Sequence, residues 1–419
     1  MHRIIALVLL FIVVIPPIQP SECNVAISLG EVKDLISGSP ILSPPPWYKR
    51  ATANGIKVGI VDTGIDPSHP DMPLIDSRHF RDLVNGKRDP YDDVGHGTHL
   101  AGIIAGCGHI QLNPFHAYFP SGCVGIARGA ELYIAKALEA VKEDGEVVGR
   151  GNIQSLVDAI NWLRDPDGDG NTSDGVDVIN LSVGIVGDTP PFFYDPIMKR
   201  LEAAIKGGIA EGVVFVIAAG NHDADDETYI IPPADMGEVI TVGGIGLDGT
   251  ICEFSNVGGD GKPDLVAPAA IASTYPTHLD YGIADGYVGL GGTSMAAAVV
   301  TGAIAVLMAS SPSLRSRSSM SESAYGDRAS YVKEMLTRNC KDIGLDGPDN
   351  IYGYGLLDFG ACYWGLGAPH PEWNGRFFSI LTPIILIICV VILFKVRRKK
   401  RESEMEDIDQ DLEDEYEAL

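Results

Sequence analysis

The chain is poor in basic residues: 31 Lys and Arg stand against 56 Asp and Glu, a formal charge of −25. That balance excludes a nucleic-acid partner, because phosphate binding needs the opposite sign. Leaving out the ten acids of the last 18 residues and the six bases among Lys395 to Arg401 still gives 46 acids against 25 bases, or −21 for residues 1 to 394. The acidity is therefore a property of the whole surface. Cysteines are few, seven in 419 residues, and no Cys-x-x-Cys pair occurs, which argues against a thiolate metal site. No internal repeat or low-complexity tract is present. With 45% hydrophobic residues and a mean hydropathy of +0.11, the chain is too apolar to be disordered.

Two apolar runs define the expected topology. Ile4 to Ile15 follows Met1-His2-Arg3 and is stopped by Pro16 and Pro17. Twelve residues rise only about 18 Å against roughly 30 Å of hydrocarbon, so residues 1–20 read as a secretory signal and not as an anchor. The second run, Phe377 to Phe394, gives about 27 Å of helix and is followed by Lys395, Arg397, Arg398, Lys399, Lys400 and Arg401. The positive-inside rule then holds residues 395–419, a basic and then acidic tail, in the cytoplasm. The expectation is a single-pass protein of the cell membrane, with the lipid bilayer as one partner and residues 21 to 376 outside.

An oxidising exterior makes disulfides possible. Cys107 and Cys123 bracket a loop of 15 residues, and a bridge there would contribute about 3 kcal/mol in the chain-entropy account. Cys340 with Cys362 is a weaker pairing, and Cys389 lies in the span.

From residue 55, short apolar runs alternate with amphipathic stretches, the pattern of an α/β fold with a mainly parallel sheet covered by helices on both faces. Strands are expected over Ile56–Val61, Glu131–Ala137, Val176–Leu181, Val213–Ala218, Val239–Gly243 and Leu265–Ala267. Helices are expected to begin near His96, Asn152, Tyr194 and Ser294. Residues 21–50, with Pro44-Pro45-Pro46, read as a lead-in, 366–376 as a linker, and Ser310 to Ser330 as an exposed serine-rich loop.

Three fragments carry chemistry-bearing residues at element boundaries: Val58-Gly-Ile-Val-Asp62-Thr-Gly64, Gly95-His96-Gly97-Thr98-His99, and Gly291-Gly-Thr-Ser294-Met-Ala-Ala297. Each alone has a plain structural reading. Asp62 fits a turn, His96 a buried histidine or metal ligand, and Ser294 a helix cap.

Together, in the order Asp, His, Ser, they resemble the subtilisin-like serine proteases. Ile179-Asn-Leu-Ser182-Val-Gly184, Ala218-Ala-Gly-Asn221, Glu253-Phe-Ser-Asn256, Pro263-Asp-Leu-Val-Ala-Pro268 and Tyr352-Gly-Tyr-Gly-Leu-Leu-Asp358 extend the likeness over about Ile56 to Phe359. The resemblance implies a peptidase domain over 51–365. In it Ser294 is the nucleophile, His96 the general base, Asp62 its orienting carboxylate and Asn221 an oxyanion donor beside the Ser294 N–H. It further implies that Ser182-Val183-Gly184 pairs with extended protein or peptide substrates, flanked by Gly149-Arg150-Gly151. No cofactor is implied for the chemistry. Two departures stand out. Ala298 occupies a position usually held by Pro, and only about 30 residues separate the signal from the catalytic domain where a prodomain is usual. Either no prodomain is needed or an inhibitor is supplied separately. A catalytically inactive surface binding domain on the same fold is the rival function, weakened because Asp62, His96, Asn221 and Ser294 are all present.

Asp165-Pro-Asp167-Gly-Asp169-Gly-Asn171 reproduces the first seven positions of an oxygen-ligand calcium loop, with Asp174 or Asp177 to complete it. Position twelve is Val176, so this is no EF-hand. Structural calcium on Asp165, Asp167, Asp169, Asn171 and Asp174 is the expectation. Asn171-Thr-Ser is also a glycosylation sequon, and sugar there would compete with ligation.

Overall fold

A computed structural model of the chain describes residues 29–36, 52–108, 123–143, 145–185, 191–221, 229–259, 261–279, 286–315 and 325–366. The signal segment, the 377–394 run and the tail lie outside these residues.

The centre is a seven-stranded sheet, made of β1 (Lys57–Asp62), β2 (Phe80–Asp82), β3 (Glu131–Lys136), β6 (Val178–Leu181), β7 (Val214–Ala218), β8 (Ile240–Ile245) and β9 (Leu265–Pro268), in the order β2-β3-β1-β6-β7-β8-β9. All six pairings are parallel. These strands read as unbroken apolar runs because both faces are covered. On β1, Val58 and Ile60 enter one core, while Val61 enters the other and Gly59 abuts Leu163. On β7, Val214 and Val216 point one way and Phe215 and Ile217 the other.

Helices α2 (His96–Ala105) and α5 (Thr293–Ser310) fill the first core. Helices α3 (Ile153–Arg164) and α4 (Pro191–Ala210) fill the second. The three-layer expectation from the sequence therefore matches the architecture, and the limits of the six expected strands fall within two residues of those read, while the short edge strand β2 was not read. Among the described residues α5 is the one helix long and apolar enough to cross a membrane, and it is the buried core helix.

Two hairpins escaped sequence reading. Strands β4 (Leu138–Glu143) and β5 (Glu146–Gly151) pair antiparallel, as do β10 (Ala270–Thr274) and β11 (Tyr287–Gly291).

Three expectations need correction. The 21–50 lead-in contains α1 (Leu29–Ile36), whose Val32 and Ile36 join the first core and whose Lys33 Nζ donates to Val124 O at 2.7 Å. The Ser310–Ser330 stretch is not simply an exposed loop. Pro312–Arg315 forms a short helix, α6, and α7 (Tyr325–Arg338) begins inside the stretch. Its Arg328 is fully buried, 2.8 Å from Asp177. Finally, Cys107 and Cys123 are free, as are Cys340 and Cys362. Cys107 bridges to Val124 in antiparallel fashion, so Cys123, one residue earlier, projects to the opposite face. There its thiol lies 3.7 Å from Gly102 O and 3.6 Å from Ser273 Oγ, and burial pushes it up to about 12. Cys252 is disulfide-bonded.

Candidate active site

The carboxyl ends of the central strands carry the polar groups, as open parallel sheets require. Asp62 ends β1 with no exposure. Its carboxylate accepts the Thr63 N–H at 2.7 Å and lies 2.8 and 2.9 Å from His96 Nδ1. That contact assigns the Nδ1 proton to the carboxylate side and leaves Nε2 as the acceptor nitrogen. Nε2 is buried and has no partner.

The imidazole is held by the start of α2. Gly95 takes φ +103° and offers no side-chain cap. Asp92 does the capping instead, accepting from Gly95 N at 2.8 Å, Thr98 N at 2.9 Å and Thr98 Oγ1 at 2.7 Å. A Cβ on Gly97 would stand 2.2 Å from Gly64 O, so only glycine lets the helix seat this close to the turn after Asp62. His99, one turn on, is a different kind of histidine. Its Nε2 faces Ile271 O and Val288 O at 3.1 and 3.2 Å, and burial, with His96 nearby, lowers it to about 3. It is a neutral core histidine.

Ser294 lies in the first turn of α5, 2% exposed, where backbone N–H groups have no intrahelical acceptor. Asn221 follows β7. Its Oδ1 accepts from Thr293 N at 2.9 Å and lies 3.0 Å from Thr293 Oγ1, which commits the oxygen and leaves Nδ2 to donate elsewhere. A Cβ on Gly292 would be 3.2 Å from that Nδ2, which puts the amide beside the residues leading into Ser294. An amide donor and a helix-start N–H so arranged can receive a developing oxyanion.

Sequence reasoning missed the supports. Lys136, fully buried at the end of β3, donates to Thr63 O at 2.6 Å, Leu138 O at 2.7 Å and Asp93 Oδ1 at 2.5 Å. It joins the turn after Asp62, the loop before His96 and the root of the β4–β5 hairpin. A second chain of bonds runs from Thr301 Oγ1 to Asn180 Oδ1 (3.0 Å), from Asn180 Nδ2 to Ser182 Oγ (2.8 Å), and from Ser182 Oγ to the Ser294 carbonyl (3.3 Å). All of these side chains are buried. The signal that could have found them is a polar residue interrupting an apolar run: Lys in Leu132-Tyr-Ile-Ala-Lys136-Ala, Asn in Val178-Ile-Asn180-Leu, and Thr in Ala298-Val-Val-Thr301.

Of the segments read as substrate strands, Gly149 and Gly151 lie on β5, paired with Ala140 and Leu138. A Cβ on Gly149 would be 2.9 Å from Thr63 Cγ2, so this hairpin abuts the turn that follows Asp62. Arg150 between them is held by Glu143, with Nε to Oε1 at 2.7 Å. Ser182, Val183 and Gly184 continue directly from β6.

In the acidic loop the structure gathers Asp165, Asp167 and Asp174, with carboxylate oxygens within 4.8 Å of one another. Asp174 Oδ1 is buried without a partner, and its carboxyl is raised by burial and then by the charge of Asp167. Hard oxygens crowded around one point, one of them orphaned, fit a calcium ion. Asp169 is not in this group. Its Oδ1 accepts Asn171 N at 2.6 Å, and Asn171 Oδ1 in turn accepts Ser173 N at 3.2 Å. Asp177 is committed to Arg328 and to the Lys57 N–H.

Residues 53–355 match the model of the subtilase family. The chain is 35% identical over 284 residues to the major intracellular serine protease of Bacillus subtilis, covering 66% of this chain and 76% of that protein. It is 31% identical to subtilisin DY of Bacillus licheniformis, covering 75% of this chain and 92% of that protein. It is 32% identical to subtilisin Savinase of Lederbergia lenta, covering 76% and 95%. The chain belongs to the subtilase family and is a subtilisin-like serine endopeptidase, a hydrolase whose substrates are proteins or peptides. Subtilases need no cofactor for catalysis.

Proposed function

We propose that the protein is a membrane-tethered endopeptidase acting outside the cell, with Ser294 as nucleophile, His96 as general base and acid, and Asp62 as the carboxylate that orients His96. The single observation that carries this is the His96 Nδ1 contact to a fully buried Asp62, with Nε2 left unpartnered. In this reading Ser294 Oγ adds to the scissile carbonyl carbon as its proton passes to His96 Nε2. The oxyanion is received by Asn221 Nδ2 and the Ser294 N–H, and the proton is returned to the leaving amine. Water then enters by the same route to release the acid and restore Ser294. Asp62, in contact with Nδ1, stabilises the imidazolium that forms.

The substrate backbone runs in extended form between Ser182–Gly184 and Gly149–Gly151. Main-chain pairing of that kind tolerates many sequences. Calcium on Asp165, Asp167 and Asp174 steadies the loop between α3 and β6 and takes no part in the chemistry. The tether is the 377–394 run, supported by its length, its lack of charge and the six bases that follow. A fluorophosphonate probe tests the core of the reading: it should label the full chain at Ser294 and leave Ser294→Ala unlabelled. Failure of the unmodified chain to react would remove the mechanism.

A further inference from the structure

The charge of this acidic chain is unevenly spread. Residues 78–88 hold four bases, Arg78, Arg81, Lys87 and Arg88, against one acid, Asp82. They run from a one-turn helix, Ser77–His79, through β2 and into the loop after it, and all four line a cavity of about 690 Å³. That volume can enclose a small ligand or a short run of side chains. Its floor is fixed, because Trp162 and Tyr133 are buried and His79 stacks on Tyr133 with ring centroids 4.2 Å apart.

Internal partners take up only part of this charge. Arg78 is held by Asp76 at 2.7 Å, and Lys87 Nζ lies over the Tyr91 ring, 4.1 Å from its centroid. Arg81 and Arg88 are exposed and form no ion pair among the described residues. Asp82 is committed to its own loop, accepting from Val84 N at 2.9 Å, Asn85 N at 2.8 Å and Tyr91 Oη at 2.8 Å. Asp76 and Asp89, which flank the basic segment, do not line the cavity. Asp167 and Asp174 do, on the opposite wall, where a bound calcium would cancel their charge. Two unpaired guanidiniums on a protein of net charge −25 select an anion, and a carboxylate fits their paired N–H donors.

The position of the cavity points to where that anion comes from. β2 is the outer strand of the sheet, and Asp82, Lys136 and Asp62 are successive partners across β2, β3 and β1. Two strand spacings of about 4.8 Å put the end of β2 roughly 10 Å from Asp62. We infer that the cavity is an exosite for a short acidic stretch of the protein substrate, bound by Arg81 and Arg88 within about six extended residues of the scissile bond, roughly 20 Å. That the stretch belongs to a substrate rests on the proteolytic reading above. The exosite adds a preference for acidic neighbours to main-chain pairing that by itself tolerates many sequences.

The test uses the full chain and fluorescent peptides that differ only in carrying a run of Asp or a run of Asn, placed on either side of the cleaved bond. Binding is read by anisotropy on the Ser294→Ala chain, so that cleavage does not intervene. The Asp peptide should bind at least about fivefold more tightly, since each exposed ion pair is worth a factor of up to about five. That advantage should shrink as salt is raised from about 0.05 to 0.5 M. The double variant Arg81→Gln/Arg88→Gln, which breaks no ion pair among the described residues, should abolish it. In chelator, Asp167→Asn removes a carboxylate from the cavity wall and should tighten the Asp peptide by about two- to fivefold, a change of opposite sign. On the unmodified chain the Asp peptide should exceed the Asn peptide in kcat/KM by at least about threefold, and the double variant should bring that ratio to about one. Equal binding of the two peptides, an advantage that survives the double variant, or competition by inorganic phosphate as strong as by the Asp peptide would overturn the inference. Fluorophosphonate labelling of the unmodified chain without selective binding would overturn the exosite alone. Selective binding by a chain that the probe does not label would overturn the proteolytic reading and, with it, the substrate as the source of the acidic stretch.

Discussion

Replacing Thr301 by Val isolates the buried chain of bonds that ends at the Ser294 carbonyl. Thr301 is fully buried in α5, and valine copies its shape while removing one hydroxyl. The loss leaves Asn180 Oδ1 without its 3.0 Å donor in a site closed to water. An orphaned buried acceptor costs about 1–3 kcal/mol. In a domain of this size that corresponds to roughly 2–4 °C of melting temperature for each kcal/mol. The functional cost enters because Asn180 holds Ser182, and Ser182 donates to the Ser294 carbonyl. If the whole cost fell on the transition state, kcat would drop about 5- to 150-fold, and that is the ceiling. Steady-state kinetics on a peptide substrate, with thermal melts run in parallel, should show lower kcat with a smaller change in KM. Thr301→Ser, which keeps the hydroxyl, should restore most of the kcat while still losing the methyl's packing. A Thr301→Val enzyme with unchanged kcat, or a Thr301→Ser enzyme as impaired as the Val variant, would show that the chain of bonds does not position Ser294.

Three further outcomes can be measured. Ser294→Ala should lower turnover by about 10⁶, the loss seen when the subtilisin nucleophile is removed, with the fold intact by circular dichroism; residual cleavage within a hundredfold of the unmodified chain would place the nucleophile elsewhere. Because burial and the charge of Asp167 raise the Asp174 carboxyl, the metal-free native state binds that proton more tightly than the unfolded chain. The resulting penalty is present above the folded pKa and relieved as pH falls through it. At neutral pH, Asp174→Asn should therefore melt above the unmodified chain in chelator and below it with calcium added, and an ordering that does not change with calcium would refute the site. Lys262 is lowered to about 8, since burial and the nearby Lys333 outweigh its 2.7 Å contact with Asp264. The unfolded state then binds more protons between pH 8 and about 10.5, so this group raises stability as pH rises through that window. Denaturant titrations of Lys262→Met should lack that rise, and parallel pH curves for the two proteins would contradict it.

The central strands were legible because burial on both faces turns each into an uninterrupted apolar run, as in Val214-Phe-Val-Ile-Ala218. Asp62, His96 and Ser294 were legible because glycines mark the turns that bring backbone and imidazole together. The β4–β5 hairpin was hidden because only one side is covered, so charged residues such as Lys142 and Glu143 stand where an apolar period was sought. Arg328 was hidden by composition: a serine-rich stretch looked solvated, although a carboxylate distant in sequence, Asp177, neutralises the guanidinium inside the protein. Spacing alone misled for Cys107 and Cys123, because chain proximity says nothing about which face each side chain takes. In the acidic loop, alternation suggested five ligands, but the turns of the backbone bring only Asp165, Asp167 and Asp174 together, because a sequence pattern does not say which alternate side chains the folded loop converges.

Helix α5 has no solvent side: every residue from Thr293 to Met308 is enclosed. Ser294 is thus mounted on a part that cannot tilt or fray unless much of the interior comes apart. Amide exchange at Met295 to Val299 should be as slow as global unfolding, while the surrounding loops exchange freely. On the proposed mechanism, accommodation of different peptides comes from the walls of the cleft, around a Ser294 that stays still.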